Sequence, residues 1–173
     1  SWVFMLIFTW MKQKKQIIIF TDLDGTLLNK DTFNFDEIES YFRKLLLEGI
    51  KIIPNTSKTE AELSDFNKQY NLNLSFIAEN GSSIHGLNLI NANLPQKISL
   101  SKPVDQINEI YNLHTPFELK KKVIFISKLN TNEQKKIFGL PLTKIKLAMK
   151  RKYSIPIQFN GTEVEKNQFT KII

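Results

Sequence analysis

The sequence contains no cysteine, only two histidines, and only two arginines among its 24 basic residues. Without cysteine it forms neither a disulfide scaffold nor a thiolate metal site. Two imidazoles are too few for a histidine-rich zinc centre. No apolar run reaches the roughly 18 residues that a membrane-spanning helix needs, so we expect no membrane partner. The polar chemistry of this 173-residue chain must therefore rest on carboxylates, hydroxyls and amines.

The formal net charge is +7, but the lysines that supply it are scattered along the chain. A nucleic-acid binder more often clusters its charge and uses arginine for bidentate phosphate contacts. The hydrophobic fraction of 42% and the charged fraction of 24% are typical of a soluble globular protein. We therefore expect a cytoplasmic protein with no nucleic-acid partner. A non-catalytic, lysine-rich binding module is the alternative from a different functional class.

Apolar periodicity in the first half predicts strands that alternate with helices. The predicted strands lie at residues 16–21, 50–53 and 74–78, and the predicted helices at 36–48 and 59–70. Gly49 is expected to end the first helix. This order is typical of a parallel sheet with right-handed crossovers.

The second half has its own elements and no linker rich in proline, glycine or serine. We expect a helix from residue 103 with Ser101 as its cap, and then a strand at 122–127. A second helix is expected to open with a capping box at 131–134 and to close at Gly139. A third helix is expected from Pro141 to about residue 152. These elements predict an inserted domain. We assign residues 11–84 to the N-terminal part of a core and 85–173 to an incomplete inserted domain. The apolar residues 1–10, which precede the natural-looking start at Met11, are expected to be a non-native or upstream extension.

Two carboxylates and a glycine directly follow the first predicted strand, in DLDGT at residues 22–26. Ligands bind at this edge of an open parallel sheet. One carboxylate can attack an electrophile while the other handles the leaving-group proton. Gly25 permits a sharp turn whose N–H groups can form a nest for an anion. Carboxylates beside a phosphate call for a hard cation, and Mg²⁺ is the natural choice.

The segment IIIFTDLDGTLL resembles the first motif of the haloacid dehalogenase-like superfamily of aspartyl-phosphate hydrolases. The resemblance implies an α/β fold with a Rossmann-like parallel-sheet core, of which this chain holds the first half only, and an inserted α/β cap domain. It implies a phosphoric monoester hydrolase with Asp22 as the nucleophile and Asp24 as the general acid–base. It also implies that the Asp22 carboxylate and the Asp24 backbone carbonyl hold Mg²⁺.

Hydroxyl side chains follow the second predicted strand, in TSKT at residues 56–59. The superfamily places a phosphoryl-binding Ser or Thr here, and a hydroxyl at a helix start can bind an anion together with free N–H groups. Ser57 is our choice for this catalytic role and Thr56 is the alternate. An ordinary hydroxyl N-cap is the simpler interpretation of the segment by itself.

Three segments resemble the corresponding segments of mannosyl-3-phosphoglycerate phosphatases. They are TSKT, ENGSSI at residues 79–84 and LAMKRKYSIP at 147–156. The resemblance implies hydrolysis of mannosyl-3-phosphoglycerate to mannosylglycerate and phosphate, so the partner is a small phosphorylated sugar–glycerate. A related sugar or sucrose phosphatase is the alternative enzyme. For Arg151, a surface cation at a helix end is the alternative to a ligand role. The candidate substrate-binding residues are Thr26, Thr56, Lys58, Asn80, Arg151, Tyr153 and Ser154.

The superfamily also uses a third-motif lysine and a fourth-motif acidic cluster after the cap. Residues 162–173 contain neither, and no motif match places Lys58 or Lys166 in the lysine role. We therefore expect the chain to be the N-terminal part of a longer phosphatase, and inactive by itself.

Overall fold

A computed structural model describes residues 16–29 and 34–172. The expected extension at residues 1–10 and the start at Met11 lie outside the described residues. The strands are β1 (Ile18–Thr21), β2 (Lys51–Pro54), β3 (Phe76–Ala78), β4 (Ser83–His85), β5 (Lys97–Ser99), β6 (Val123–Phe125) and β7 (Ile157–Phe159). The α-helices are α1 (Asp36–Leu47), α2 (Glu60–Gln69), α3 (Val104–His114), α4 (Phe117–Lys120), α5 (Thr131–Phe138), α6 (Leu142–Ala148) and α7 (Glu163–Thr170).

The first half forms the predicted parallel sheet. β1 pairs with β2 in parallel, with Ile18 opposite Lys51. One parallel bridge from Asn55 to Ile77 joins β2 to β3. Antiparallel pairing then adds β4 and β5. The sequence analysis did not predict these last two strands.

The second half supplies a separate two-stranded antiparallel sheet, β6–β7, and helices α3 to α7. The fold class, an α/β core with further α/β elements, is the predicted one. The domain division expected between residues 84 and 85 stays a prediction, and β4 crosses it. No helix within the described ranges is long and apolar enough to cross a membrane.

Two helix starts differ from the predicted ones. α3 follows Pro103 with no side-chain cap, so Ser101 does not cap it. The first N–H of this helix, on Val104, instead donates to the carbonyl of Lys152 at 2.9 Å. The N-cap of α5 is Asn130 and not Thr131. The Asn130 side chain accepts from the N–H of Glu133, and the Glu133 carboxylate accepts from the N–H of Asn130. These two bonds form the capping box.

The predicted helix from Pro141 to residue 152 is too long, because α6 ends at Ala148. The backbone N–H groups of Lys152 and Tyr153 donate to the carboxylate of Glu79 instead of to helical carbonyls. A tertiary hydrogen bond has therefore replaced the last predicted turn. The predicted ends at Gly49 and Gly139 are confirmed, since both glycines have the left-handed φ typical of a residue that ends a helix.

The core of the first half is centred on the ring of Phe35, which is fully buried. Its ring centroid lies 5.0 Å from that of Phe42, 5.3 Å from Phe66 and 5.0 Å from Tyr70, in edge-to-face contacts. Such pairs add about 0.5–1.5 kcal/mol each beyond the apolar area they bury. Phe35 therefore packs against both α1 and α2 at the centre of this core.

Polar contacts join the second half to α2. The Thr59 hydroxyl donates to the carbonyl of Leu147 at 2.9 Å, and Lys144 Nζ lies 2.7 Å from Asp65 Oδ2. Glu60 Oε2 accepts from both Lys97 at 3.0 Å and Lys152 at 2.8 Å.

The pKa of Glu60 reflects these two ammonium groups. Burial by itself would raise the pKa, but the hydrogen bonds from Lys152 and Lys97 outweigh burial and lower it from 4.5 to about 2. Nearby His85, whose Nδ1 lies 3.8 Å from Glu60 Oε1, has a pKa below its usual value of 6.5, mainly because it is buried.

Replacing Phe35 with alanine should lower the free energy of unfolding by about 3–5 kcal/mol, because it leaves a cavity among three aromatic rings. Chemical denaturation followed by circular dichroism measures this loss. Tyr41→Ala is the matched control, since Tyr41 is an aromatic residue of α1, the helix that Phe35 precedes, and is 65% exposed. It should cost less than about 0.5 kcal/mol. Equal losses in both variants would contradict a Phe35-centred core.

Replacing Glu60 with glutamine should lower the melting temperature at neutral pH and should have little effect near pH 2. A carboxyl whose folded pKa is lowered stabilises the fold above its unfolded pKa, and that stability is lost as pH falls from about 4.5 to about 2. Thermal melts across this range test the expectation. Glu118→Gln, which removes an exposed pair with Lys121, is the control. A Glu60→Gln difference that persists at pH 2 would rule out the charge as its cause.

Candidate active site

Asp22 lies immediately after β1, where the chain turns out of the sheet. Leu23 is buried in the core, and its carbonyl accepts from the N–H groups of Leu27 at 3.1 Å and Leu28 at 2.8 Å. Gly25 has a φ of +70°, which the turn requires. The Asp22 side chain accepts from the N–H of Leu23 at 2.7 Å and remains exposed. The anchored leucine therefore presents the carboxylate at the carboxyl edge of the strand.

The loop after β2 lies beside Asp22 because its backbone bonds to both neighbouring strands. The N–H of Asn55 donates to the carbonyl of Thr21 at 2.8 Å, and that of Thr56 donates to the carbonyl of Ile77 at 3.1 Å. Thr56 is buried, and its hydroxyl oxygen accepts from the N–H of Lys58 at 3.3 Å. Ser57 is exposed. Of the two candidate hydroxyls, Thr56 stabilises the loop and Ser57 faces solvent.

An open cleft of about 450 Å³ lies over this edge of the sheet. Its lining residues are Asp22, Asn55, Thr56, Ser57 and Asn80. The cleft therefore combines one carboxylate with hydroxyl and amide groups, a set that suits an electrophilic ligand with several polar oxygens. The structure brings together four of the predicted site residues here.

The Asp24 carboxylate does not line this first cleft but forms an ion pair on the other side of the turn. Lys58 Nζ lies 3.0 Å from Asp24 Oδ1 and 3.7 Å from Glu62 Oε1, and the Lys58 side chain is only 13% exposed. Asp24 Oδ1 is buried and has no hydrogen bond of good geometry, so the Lys58 charge provides its stabilisation. Lys58, a predicted substrate-binding residue, thus contacts Asp24, the predicted general acid–base. Its substrate-binding role stays a prediction.

A second, smaller cleft of about 130 Å³ lies on the Asp24 side. Its polar walls are formed by Asp24, Ser57, Lys58, Glu62 and Arg151, and apolar residues of α5, of α6 and of the segment between these helices complete it. Ser57 lines both clefts. An elongated ligand could therefore extend from Asp22 past Ser57 toward Asp24 and Arg151.

Arg151 reaches this cleft from the segment after α6. Its Nη1 donates to the carbonyl of Ser57 at 3.2 Å and to the hydroxyl of Ser154 at 2.9 Å. Its Nε is buried without a hydrogen-bond partner. A buried, unpaired guanidinium donor is costly. Arg151 also lines the second cleft, where its charge would attract a negatively charged ligand.

Glu79, which the sequence analysis did not single out, holds the Arg151 segment against the core. Its carboxylate is 2% exposed and accepts from the N–H groups of Lys152 at 2.9 Å and Tyr153 at 3.0 Å, and from the hydroxyl of Ser154. Burying a carboxylate costs several kcal/mol, and each hydrogen bond to a charged group returns about 1.5–3 kcal/mol. One feature of the sequence could have indicated a role for Glu79. It is an acid directly before Asn80 and Gly81, in a turn that does not itself require a charged residue.

Two further candidate residues, Tyr153 and Thr26, are not among the residues that line the two clefts. The Tyr153 hydroxyl is 2.6 Å from the hydroxyl of Ser99, a hydrogen bond that lowers the pKa of Tyr153, and Lys97 Nζ lies 5.3 Å from the ring centroid. Thr26 is exposed on the turn after Asp24 and lines neither cleft. The predicted roles of Tyr153 and Thr26 remain predictions.

Two aspartates supply hard oxygen ligands of the kind that Mg²⁺ prefers. Asp22 is exposed, and Asp24 follows it by two residues on the same turn. Within the described ranges, no three histidine, cysteine or acidic side chains lie together as a metal-binding group. The donor chemistry thus fits Mg²⁺ as a partial site, since this ion usually keeps several water ligands.

Comparison with known proteins finds relatives that are named phosphatases. A phosphatase of glucosyl-3-phosphoglycerate and mannosyl-3-phosphoglycerate from Persephonella marina is 27% identical over 146 residues, which cover 81% of this chain and 54% of the relative. A mannosyl-3-phosphoglycerate phosphatase from Pyrococcus horikoshii is 30% identical over 149 residues, which cover 79% of this chain and 58% of the relative. The chain thus spans somewhat more than half the length of these two relatives.

A solved phosphatase of the haloalkanoate (HAD) superfamily from Bacteroides thetaiotaomicron has the same fold, with a TM-score of 0.58 at 15% identity. The alignment covers 93% of this chain and 62% of that protein. The family model for haloacid dehalogenase-like hydrolases matches residues 19–173. Because that match includes the DLDGT turn, the β2 loop and the Arg151 segment, this chain belongs to the haloacid dehalogenase-like hydrolases.

Proposed function

We propose that this chain carries the nucleophile and the general acid–base of a phosphatase that hydrolyses mannosyl-3-phosphoglycerate or its glucosyl counterpart. The observation that carries the proposal is the position of Asp22, an exposed carboxylate at the carboxyl end of β1 in a cleft lined by hydroxyl and amide groups. The names of the relatives from Persephonella marina and Pyrococcus horikoshii support the substrate class.

The first step is transfer of the phosphoryl group to Asp22. A carboxylate oxygen of Asp22 attacks phosphorus, and the bond from phosphorus to the leaving oxygen breaks. Asp24 gives its proton to that leaving oxygen, and the alcohol departs. In this proposal Ser57 and Asn80, which line the first cleft, donate hydrogen bonds to phosphoryl oxygens.

The second step is hydrolysis of the aspartyl phosphate. The Asp24 carboxylate takes a proton from water, and the water oxygen attacks phosphorus. The bond between phosphorus and the Asp22 oxygen breaks and releases phosphate, which leaves Asp24 protonated again. Asp22 and the Asp24 carbonyl would hold Mg²⁺ with water completing its shell, and the bound ion would supply neutralisation of the phosphoryl charge.

Two clefts that share Ser57 support a substrate with two polar ends. With the phosphoryl group at Asp22, the leaving group extends toward Asp24, Lys58 and Arg151. A glycosyl-3-phosphoglycerate bears a carboxylate beside its phosphate, and the guanidinium of Arg151, which lines the second cleft, is a cation for such a carboxylate. A simple sugar phosphate lacks this second anion.

In the full-length protein, Asp22→Asn should abolish turnover, because an amide cannot form the acyl phosphate. Asp24→Asn should slow turnover by roughly 10²- to 10⁴-fold, the range for a lost acid–base. Phosphate release with Mg²⁺ present measures both rates, and mass spectrometry after acid quenching locates a phosphoryl group on Asp22. Asp105→Asn, on an exposed carboxylate of α3, is the control and should keep full activity. Turnover in Asp22→Asn would refute the mechanism.

Arg151→Ala should raise KM for mannosyl-3-phosphoglycerate by roughly 10- to 100-fold, the equivalent of a lost hydrogen bond to a charged group. It should affect p-nitrophenyl phosphate, which has no carboxylate, by less than about threefold. A panel with mannose 6-phosphate and sucrose phosphate tests the alternative enzyme. Equal losses on every substrate would give Arg151 a structural role. A stronger wild-type preference for sucrose phosphate would exclude the proposed substrate.

A further inference from the structure

A chain of two hydrogen bonds links Glu79 on the core to Arg151 in the second cleft. The Ser154 hydroxyl donates to Glu79 Oε2, and its oxygen accepts from Arg151 Nη1 at 2.9 Å. A serine hydroxyl has one proton, and the Glu79 carboxylate can only accept. The carboxylate therefore fixes the direction of the Ser154 hydroxyl, whose lone pairs face the guanidinium.

We propose that Glu79 is a positioning residue that acts through Ser154 to orient Arg151 toward the carboxylate of the substrate. This inference rests on the proposed function, which supplies the anionic ligand for Arg151. Glu79 itself touches no ligand in this arrangement, because its side chain is almost completely buried beneath residues 152–154.

The same carboxylate fixes both ends of the Arg151 side chain. By accepting from the N–H groups of Lys152 and Tyr153, it holds the backbone that follows Arg151. Through Ser154 it holds the guanidinium, which also donates to the carbonyl of Ser57. A free arginine loses much rotamer entropy when it binds a ligand. An arginine held at both ends has lost that entropy before the substrate arrives.

The backbone at Glu79 also supports a role beyond packing. Glu79 and Asn80 have φ values of +49° and +57°, in the left-handed region that disfavours residues other than glycine. Non-glycine residues persist in this region when the surrounding structure holds them, and they are concentrated at ligand sites. Here the turn brings Asn80 into the first cleft while Glu79 points beneath the Arg151 segment.

The test is Ser154→Ala in the full-length protein, since this change removes the connecting hydroxyl and leaves the buried carboxylate its two backbone donors. KM for mannosyl-3-phosphoglycerate should rise roughly tenfold, the equivalent of one charge-assisted hydrogen bond. kcat, and both constants for p-nitrophenyl phosphate, should change less than twofold. Ser154→Thr keeps a hydroxyl and should restore most of the affinity.

Two comparisons separate positioning from mere stability. Ser75→Ala removes the hydroxyl of a buried serine, which donates to the carbonyl of Gly86 at 2.7 Å, and should leave KM unchanged. In the Arg151→Ala background, Ser154→Ala should add no further rise in KM, because its effect passes through Arg151. Additive effects, or equal losses on both esters, would overturn the inference.

Calorimetric binding of mannosyl-3-phosphoglycerate to the Asp22→Asn protein distinguishes this inference from the proposed function. Tight binding that Ser154→Ala weakens about tenfold supports both the proposed function and the positioning role of Glu79. Equal binding with and without the Ser154 hydroxyl overturns the positioning role and leaves the function standing. If the Asp22→Asn protein does not bind this ester while the wild-type protein hydrolyses other phosphate esters through Asp22, both the proposed substrate and the positioning role are overturned.

Discussion

A buried carboxylate must be surrounded by hydrogen-bond donors, and this requirement at Glu79 organises much of the molecule. Two backbone N–H groups and one hydroxyl of residues 152–154 meet it. Those residues then cannot continue α6, and the carbonyl of Lys152 accepts from the first N–H of α3. One acid on the core therefore ends one helix, helps to start another, and fixes Arg151 beside the Asp24 turn.

The two aspartates of DLDGT are close in sequence but face different surroundings. Asp22 is exposed in the cleft with Ser57 and Asn80, whereas Asp24 is paired with Lys58 on the side of Arg151. In the proposed reaction the first carboxylate meets phosphorus and the second meets the leaving group. The sharp turn at Gly25 and the buried Leu23 create this separation, because they send successive side chains in different directions.

Charge at the junction of the two halves is shared among a few groups. Glu60, at the first turn of α2, accepts from Lys97 of β5 and from Lys152 of the Arg151 segment. A carboxylate at the first turn of a helix also interacts favourably with the helix dipole. Lys152 thus takes part in both this ionic cluster and the Glu79 hydrogen bonds. The segment that carries Arg151 is therefore held by both charge and hydrogen bonding.

The sequence by itself determined the elements whose signals are local. The β1 strand, α1 with its end at Gly49, α2 with Thr59 before it, and the DLDGT turn all follow from periodicity, caps and glycine, which depend on neighbours along the chain. Periodicity placed Asp22 and the TSKT hydroxyls directly after predicted parallel strands, whereas the choice of Ser57 and Asn80 as site residues came from the family resemblance. Only the tertiary structure decided the end of α6, the pairing of Lys58 with Asp24, and the role of Glu79. Each of these depends on contacts between residues more than 30 positions apart, or on which face of a turn a charge occupies, and such contacts leave no local pattern.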